Sequence, residues 1–262
     1  MATYLDSILA VHRAAASHDD RSTDTLIESA RALPPTRGFR AALLGGDTLA
    51  VISEVKRRSP SKGPLAVDLD PATLASSYEE GGASCLSVLT DADHFGGSVD
   101  DLRSARAAVS LPVLRKDFTV SANDVCDTRL MGADCVLLIA AALDDAELTA
   151  FAALADELGL DALVEIHDEA ELERALACTS GALIGVNQRD LETFMVDQAR
   201  AVRMAAVMPE HTVRVAESGV RGRGDALALA AAGYHAVLVG EHLVTSPDPA
   251  AALAELRVPR PS

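Results

Sequence analysis

Lysine is scarce in this chain, and where it occurs it sits in chemically pointed company. Only three of the 23 basic residues are lysines, namely Lys56, Lys62 and Lys116. Arginine keeps its proton under all ordinary conditions. A lysine that is desolvated or crowded by other cations can have its pKa lowered and serve as a proton donor. Lys56 follows Glu54 by two positions, so in an extended chain both point to one side. Lys116 stands in the run Arg115-Lys116-Asp117-Phe118. Further along, Glu165, then Asn187 with Arg189, then Glu217-Ser218-Gly219, then Gly240-Glu241 each close or follow a short apolar run. Lysines and carboxylates gathered at one place are the materials of general acid–base catalysis, provided that their surroundings move their pKa values apart.

Gathering them requires a scaffold, and the sequence spells one out. From residue 49 onward, short runs rich in Val, Ile and Leu alternate with longer Ala-rich stretches of helical spacing. The spacing predicts strands over 49–55, 84–89, 112–115, 135–139, 162–166, 183–186, 212–216 and 236–239. Helices are predicted over 71–80, 99–109, 123–131, 144–158, 169–177, 197–207, 223–232 and 248–256. Strands apolar on both faces imply a parallel sheet covered by crossover helices. Eight such βα units match an α/β fold of the (β/α)8 TIM barrel type. An open doubly wound sheet would carry a GxGxxG turn after its first strand; here the first strand runs into EVKRRSPSKG instead. Gly81, Gly132, Gly159 and Gly233 are placed to end helices in the left-handed conformation. Residues 1–48 read as an N-terminal helical extension packed on the barrel, with Leu5, Ile8, Leu9 and His12 on one helical face and a second helix near 23–33. Residues 49–262 read as a single catalytic domain.

In a barrel of this kind the chemistry lies at the C-terminal ends of the strands, where all of the polar residues named above fall. The last two loops of such barrels commonly hold phosphate with backbone N–H groups. Ser218 and Gly219 after strand seven, with Gly240 and Glu241 after strand eight, suit that task, and Ser59 could add a hydroxyl. The side chain of Glu241 would repel an anion, so only its backbone N–H is expected to contribute. Arg115, Lys116 and Arg189 add positive charge to the mouth, as does the segment from Glu54 to Lys62, with four cations against one carboxylate. Phe95 and Phe118, in loops after strands two and three, could close over a flat ligand.

Composition narrows the class. A net charge of −16 argues against binding to nucleic acid or to anionic membranes. It does not bar a small anionic substrate, because charges beyond roughly 8 Å are screened at physiological salt. Four scattered cysteines, with no CxxC, read as reduced thiols, and the start of the chain lacks the pattern of a signal peptide, so a cytoplasmic protein is expected. The residues alone leave three readings open: an acid–base lyase, a sugar-phosphate isomerase or Schiff-base aldolase, and a non-catalytic phosphate-binding barrel.

The segments ISEVKRRSPSKG (52–63), LTDADHFGGS (89–98), LPVLRKDF (111–118), GADCVLLIAAAL (132–143), LVEIHDEAELERAL (163–176), IGVNQRDLETFMVD (184–197), AESGV (216–220) and AVLVGEHLV (236–244) resemble the indole-3-glycerol phosphate synthase family of tryptophan biosynthesis. They occur in family order. The resemblance implies a carboxy-lyase that converts 1-(2-carboxyphenylamino)-1-deoxyribulose 5-phosphate to indole-3-glycerol phosphate, CO2 and water, with no metal or organic cofactor. It implies Lys116 as general acid, Glu165 as general base, Lys56 on the substrate carboxylate and sharing acid duty, and Glu54 orienting the lysines. It further implies substrate contacts from Asn187, Arg189, Glu217, Phe95 and Phe118, and a phosphate site of Ser59, Ser218, Gly219, Gly240 and Glu241. The expected partner is a small anionic aryl-amino sugar phosphate, and the expected state a monomer or weak homo-oligomer. One stretch departs from the family's habit: 123–129 reads NDVCDTR, where members commonly show a sequence like YQIxEAR.

Overall fold

The computed structural model describes residues 3–60, 62–190 and 193–261. Eight parallel strands close into a barrel: β1 (Ala50–Val55), β2 (Cys85–Leu89), β3 (Val113–Lys116), β4 (Cys135–Ile139), β5 (Asp161–Ile166), β6 (Leu183–Asn187), β7 (Val213–Glu217) and β8 (Ala236–Val239). Each pairs with its neighbour in sequence, and β8 closes on β1 with Ala236 beside Ala50. The strands are buried almost throughout, as runs apolar on both faces require. Every predicted strand is present to within a residue at each end. Helices between them form the outer ring. Seven of the eight match to within a residue at each end, but the one predicted over 197–207 contracts to Arg200–Ala205.

Glycine conformation corrects one expectation. Gly132, Gly159 and Gly233 have positive φ, but Gly81 does not; Gly82 takes that role at φ 88°. Gly81 is small for a different reason: a Cβ there would lie 2.7 Å from the carbonyl oxygen of Ala250, so the helix α4 (Pro71–Glu80) ends tight against the helix Pro249–Leu256.

The N-terminal segment touches both ends of the barrel. Helix α1 (Tyr4–Ser17) lies over the C-terminal mouth, α2 (Thr23–Arg31) packs on the helix Ala122–Leu130, and α3 (Phe39–Leu44) covers the opposite end. Phe39 and Leu43 of α3 are fully buried. The backbone N–H groups of Arg37 and Arg40 donate at 2.8 Å to Asp134 and Asp161, which begin or precede β4 and β5. Helix α3 is too short for its periodicity to show in the sequence. Of the four cysteines, Cys85, Cys126 and Cys135 are buried, and all four are free thiols. No helix among the described residues is long and apolar enough to cross a membrane.

The departing segment has a structural partner. Asn123 donates to Asp19 at 2.8 Å and accepts from the Thr23 hydroxyl at 2.7 Å. Arg21 reaches Asp127 with both terminal nitrogens, at 2.9 and 2.8 Å, while also holding Asp19. The corner between α1 and α2 is thus tied down by Asn123 and Asp127 of this segment.

Candidate active site

Strand alternation decides which side chains meet. Successive residues of a strand face opposite sides, so Glu54, Lys116, Glu165, Asn187 and Glu217 enter the barrel mouth together. There they line a cavity of about 780 Å3, with Leu137, Ile139 and Leu238 among its apolar walls. That volume suits a drug-sized ligand. All of the candidate residues line it: Glu54, Lys56, Ser59, Phe95, Lys116, Phe118, Glu165, Asn187, Arg189, Glu217, Ser218, Gly219, Gly240 and Glu241.

Arg115 does not. Expected at the mouth, it faces outward from β3, donating to Asp117 at 2.9 Å, to Thr90 at 3.2 Å and to the carbonyl of Asp124 at 3.0 Å. It fastens the start of the next helix, and the cation at the mouth is its neighbour Lys116.

At the centre, Lys116 Nζ donates to Glu165 Oε2 at 2.8 Å and lies 3.7 Å from Glu217 Oε2. Asn187 Nδ2 donates to the other oxygen of Glu165 at 3.0 Å. Lys56 and Glu54 form a second ion pair beside them. Burial alone would lower the pKa of Lys116, but Glu165, Glu217 and Glu54 around it outweigh burial and raise it. The sequence suggested a lysine depressed by cations; the structure instead holds a charged ammonium among carboxylates, an acid with its proton in place. Burial works against the ionised form of Glu165, yet Lys116 and His167 hold that carboxyl below its usual range. Glu217 moves the other way, pushed up by burial and then by the charge of Glu165. Two carboxyls are therefore driven in opposite directions, the pattern that separates acid from base.

Two glycines make this crowding feasible. A Cβ on Gly185, in the middle of β6, would collide with Glu217 Oε1 and come within 3.2 Å of Leu163. A Cβ on Gly240 would strike Glu54 and lie 2.9 Å from Lys56 Nζ. Gly240 was expected to serve phosphate through its backbone; its lack of a side chain also makes room for the Glu54–Lys56 pair.

The far end of the cavity offers backbone donors. Ser218 and Gly219 have φ of 65° and 74°. Gln188 and Gln198 donate to their carbonyls at 2.7 and 2.6 Å, which fixes this turn. The N–H groups of Ser218, Gly219, Gly240 and Glu241 have no acceptor among the described residues. The only non-glycine residues with positive φ among the described residues, Ser218 and Phe194, both line the cavity, and strain of this sort collects at functional sites. Lys62 lies 3.4 Å from the Glu241 carboxylate, drawing that charge toward the rim.

The sequence did not show the roof. Tyr4, Leu5 and Ile8 of α1 line the cavity, as do Phe194, Val196, Gln198, Arg221 and His242. Tyr4 packs edge-on against Phe194 and His94, and His12 lies against Phe118, which neighbours Phe95 with ring centroids 6.3 Å apart. The spacing of Leu5 and Ile8 announced a buried face, but nothing in it said that the face covers a mouth.

Two carboxylates fasten this roof: Glu147 takes both terminal nitrogens of Arg13 on α1, at 2.7 and 2.9 Å, and Asp91 holds the side nearer the aromatic rings. Asp91 Oδ2 takes His12 Nε2 and His94 Nδ1, each at 3.1 Å, and its Oδ1 accepts two backbone N–H groups. Asp117 stands close enough to complete a potential cation cluster with His12 and Asp91. Its oxygens, however, already accept from Arg115, Thr90 and Phe118 N, so the cluster works as a fastening. The bond to Asp91 raises the pKa of His12 against the cost of burial, and Asp91 lies well below the usual carboxylate range despite its own burial. A raised histidine contributes stability below its unfolded pKa of about 6.5 and loses it as pH rises through its folded value. The depressed Asp91 contributes above its unfolded pKa of about 3.9. The clasp is therefore strongest from weakly acidic pH up to neutrality. Hydrogen exchange of α1, corrected for intrinsic rate, is expected to quicken between pH 6 and pH 9. Asp91→Asn is expected to quicken it already at pH 6; equal protection at both pH values would remove the clasp.

Comparison with known proteins bears on the family of the chain. The family model for indole-3-glycerol phosphate synthase matches residues 5–256. The protein of that name from Mycolicibacterium smegmatis is 51% identical over 257 residues, covering 97% of this chain and 94% of its own. The one from Micrococcus luteus is 54% identical over 236 residues, covering 88% of each chain. Among solved structures, thiamine phosphate pyrophosphorylase from Pyrococcus furiosus aligns with a TM-score of 0.58 at 15% identity, over 79% of this chain and 93% of that one, a likeness of fold alone. A match that begins in the helix roofing the cavity and runs through every strand leaves one assignment: the chain belongs to the indole-3-glycerol phosphate synthase family.

Proposed function

We propose that this enzyme closes the indole ring of indole-3-glycerol phosphate, acting as a carboxy-lyase on 1-(2-carboxyphenylamino)-1-deoxyribulose 5-phosphate. The observation that carries the reading is the Lys116–Glu165–Glu217 cluster on the floor of a cavity with unpaired backbone donors at its far end.

In this reading the phosphate is bound by the N–H groups around Ser218, Gly219, Gly240 and Glu241, with Ser59 adding its hydroxyl. The aryl ring lies by Phe95 and Phe118 under α1. Lys56 engages the substrate carboxylate, Glu54 orients Lys56, and Asn187 and Arg189 anchor the substrate. The ring carbon bearing the carboxylate attacks the ketone carbon, and Lys116 gives its proton to the ketone oxygen, which becomes a hydroxyl. The carboxylate leaves as CO2, and its bonding pair restores the aromatic ring. The nitrogen lone pair then expels the hydroxyl as water, protonated by a lysine. Glu165 removes a proton from the carbon between nitrogen and the reacting centre, forming the last double bond. A positioned acid or base of this kind contributes typically ~10²–10⁴-fold.

The 49–262 barrel is proposed as the catalytic domain, with residues 1–48 as an extension that roofs it. The chain is proposed to act as a monomer or weak homo-oligomer. A cytoplasmic location fits the free thiols. The purified protein is expected to generate indole fluorescence from the carboxyphenylamino sugar phosphate. Folded protein that yields no product would overturn the proposal.

A further inference from the structure

His167 takes no part in the chemistry above, yet it stands directly behind the proposed base. It follows the last residue of β5, two positions beyond Glu165. Its backbone N–H donates to Glu171 Oε2 at 2.7 Å, and its ring Nδ1 lies 3.0 Å from the same oxygen. Glu171 is fixed in turn, because its N–H donates at 2.9 Å to Asp168, the residue capping the helix Glu169–Cys178. The imidazole is thus clamped from one side. With Nδ1–H turned to Glu171, its Nε2 is buried and has no hydrogen-bond partner. That nitrogen lies 3.7 Å from Glu165 Oε1.

A neutral ring in this orientation would aim a lone pair at an ionised carboxylate. A protonated ring would aim an N–H at it, and a closing movement of under 1 Å would make a hydrogen bond of ordinary length. Catalytic hydrogen bonds are often long in unliganded sites and tighten when substrate binds. The oxygen concerned already receives Asn187, while the other takes Lys116, so His167 would be the third donor to this carboxylate.

We infer that His167 is a positioning residue for Glu165: clamped by Glu171, it presents a protonated Nε2 to Glu165 Oε1 and keeps that carboxylate ionised and aimed at the proton it takes from the substrate. The inference deepens the proposed function and rests on Glu165 being the base. The charges facing the ring favour its protonated form on balance. Burial opposes it, as does Arg200 from the helix Arg200–Ala205, but Glu171 on its own helix and Glu165 on β5 outweigh them and raise its pKa.

The test uses the full chain with 15N-labelled histidine. The ring nitrogens of His167 are expected to report imidazolium with a midpoint above the ordinary histidine value, near 6.5. In Glu165→Gln and in Glu171→Gln the midpoint of that titration is expected to fall by half a pH unit or more. A midpoint unchanged in Glu165→Gln overturns the inference. Turnover in the same variant tests the reading beneath it: near-normal kcat would remove Glu165 as base, whatever the histidine does. Kinetics supply a second arm. His167→Gln keeps a donor but no charge, so Glu165 should protonate at higher pH. The acid limb of its kcat profile is expected to move up by about one pH unit with KM little changed. His167→Leu should show the same movement with a further loss of roughly tenfold in kcat. A role in packing alone would lower Tm and leave the acid limb where it was, which would also overturn the inference.

Discussion

Lys116→Met is expected to lower kcat by roughly 10²–10⁴-fold while leaving a folded barrel. The methionine keeps the length and apolar stem of the lysine and removes the proton that the ketone oxygen needs. Lys56 is held by Glu54 and does not stand against Glu165, so it cannot take over the geometry without moving. The variant also carries a distinctive stability signature. Lys116 is the main charge that keeps Glu165 ionised in its buried place, and breaking a buried pair from one side commonly costs about 3–5 kcal/mol. Without the ammonium, the folded pKa of Glu165 rises and that of Glu217, already raised, rises further. Both then cost the fold more when ionised than they do in wild type, and the excess is lost when they are protonated. The deficit in Tm relative to wild type should therefore be largest at pH 8 and shrink toward pH 5. Fluorescence kinetics and thermal melts at the two pH values check both halves. A kcat within tenfold of wild type would take the acid role away from Lys116.

A substitution that touches no reacting atom should be nearly as damaging. Gly185→Ala adds one methyl group to the middle of β6, where Glu217 and Leu163 already occupy the space. The strand cannot retreat, since Gly185 is paired with Glu165 on one side and Val215 on the other. Overpacking of this kind typically costs about 1–3 kcal/mol. Displacing Glu217 and its neighbours by even 1 Å is expected to cost roughly 10²-fold in kcat. Gly46→Ala is the control: no atom lies within 4 Å of a Cβ there and φ is not positive, so activity and Tm should hold. If Gly185→Ala keeps wild-type kcat, the packing of Glu217 against bare backbone has no bearing on turnover.

The barrel was legible because its strands must be apolar on both faces, a pattern that little else produces. The polar strand ends stood out against that background for the same reason, and the shortage of lysine made two of them conspicuous. What the sequence hid was relational. Arg115 and Lys116 are adjacent letters, and both looked like cations at a mouth; one residue of alternation sends the first outward to Asp117 and the second inward to Glu165. Gly185 carries no mark of its role in the sequence, because Glu217, which fills the space beside it, lies 32 positions later. The amphipathic spacing of α1 recorded that a face is buried without recording where. His167 carried no signal, because its meaning lies in Glu171 one helical turn on and in the carboxylate two residues back.

The ties between Asp19, Arg21 and Thr23 on one side and Asn123 and Asp127 on the other join two distant stretches of chain into a single structural part. Chimeras will respect that boundary. Grafting a relative's extension alone onto this barrel leaves Asn123 and Asp127 without their counterparts, and the roof should seat poorly. Transferring the extension together with residues 122–130 moves lock and key at once. Drift at either stretch must therefore be answered at the other, so lineages that rewrite the third barrel helix are expected to rewrite the helical corner with it.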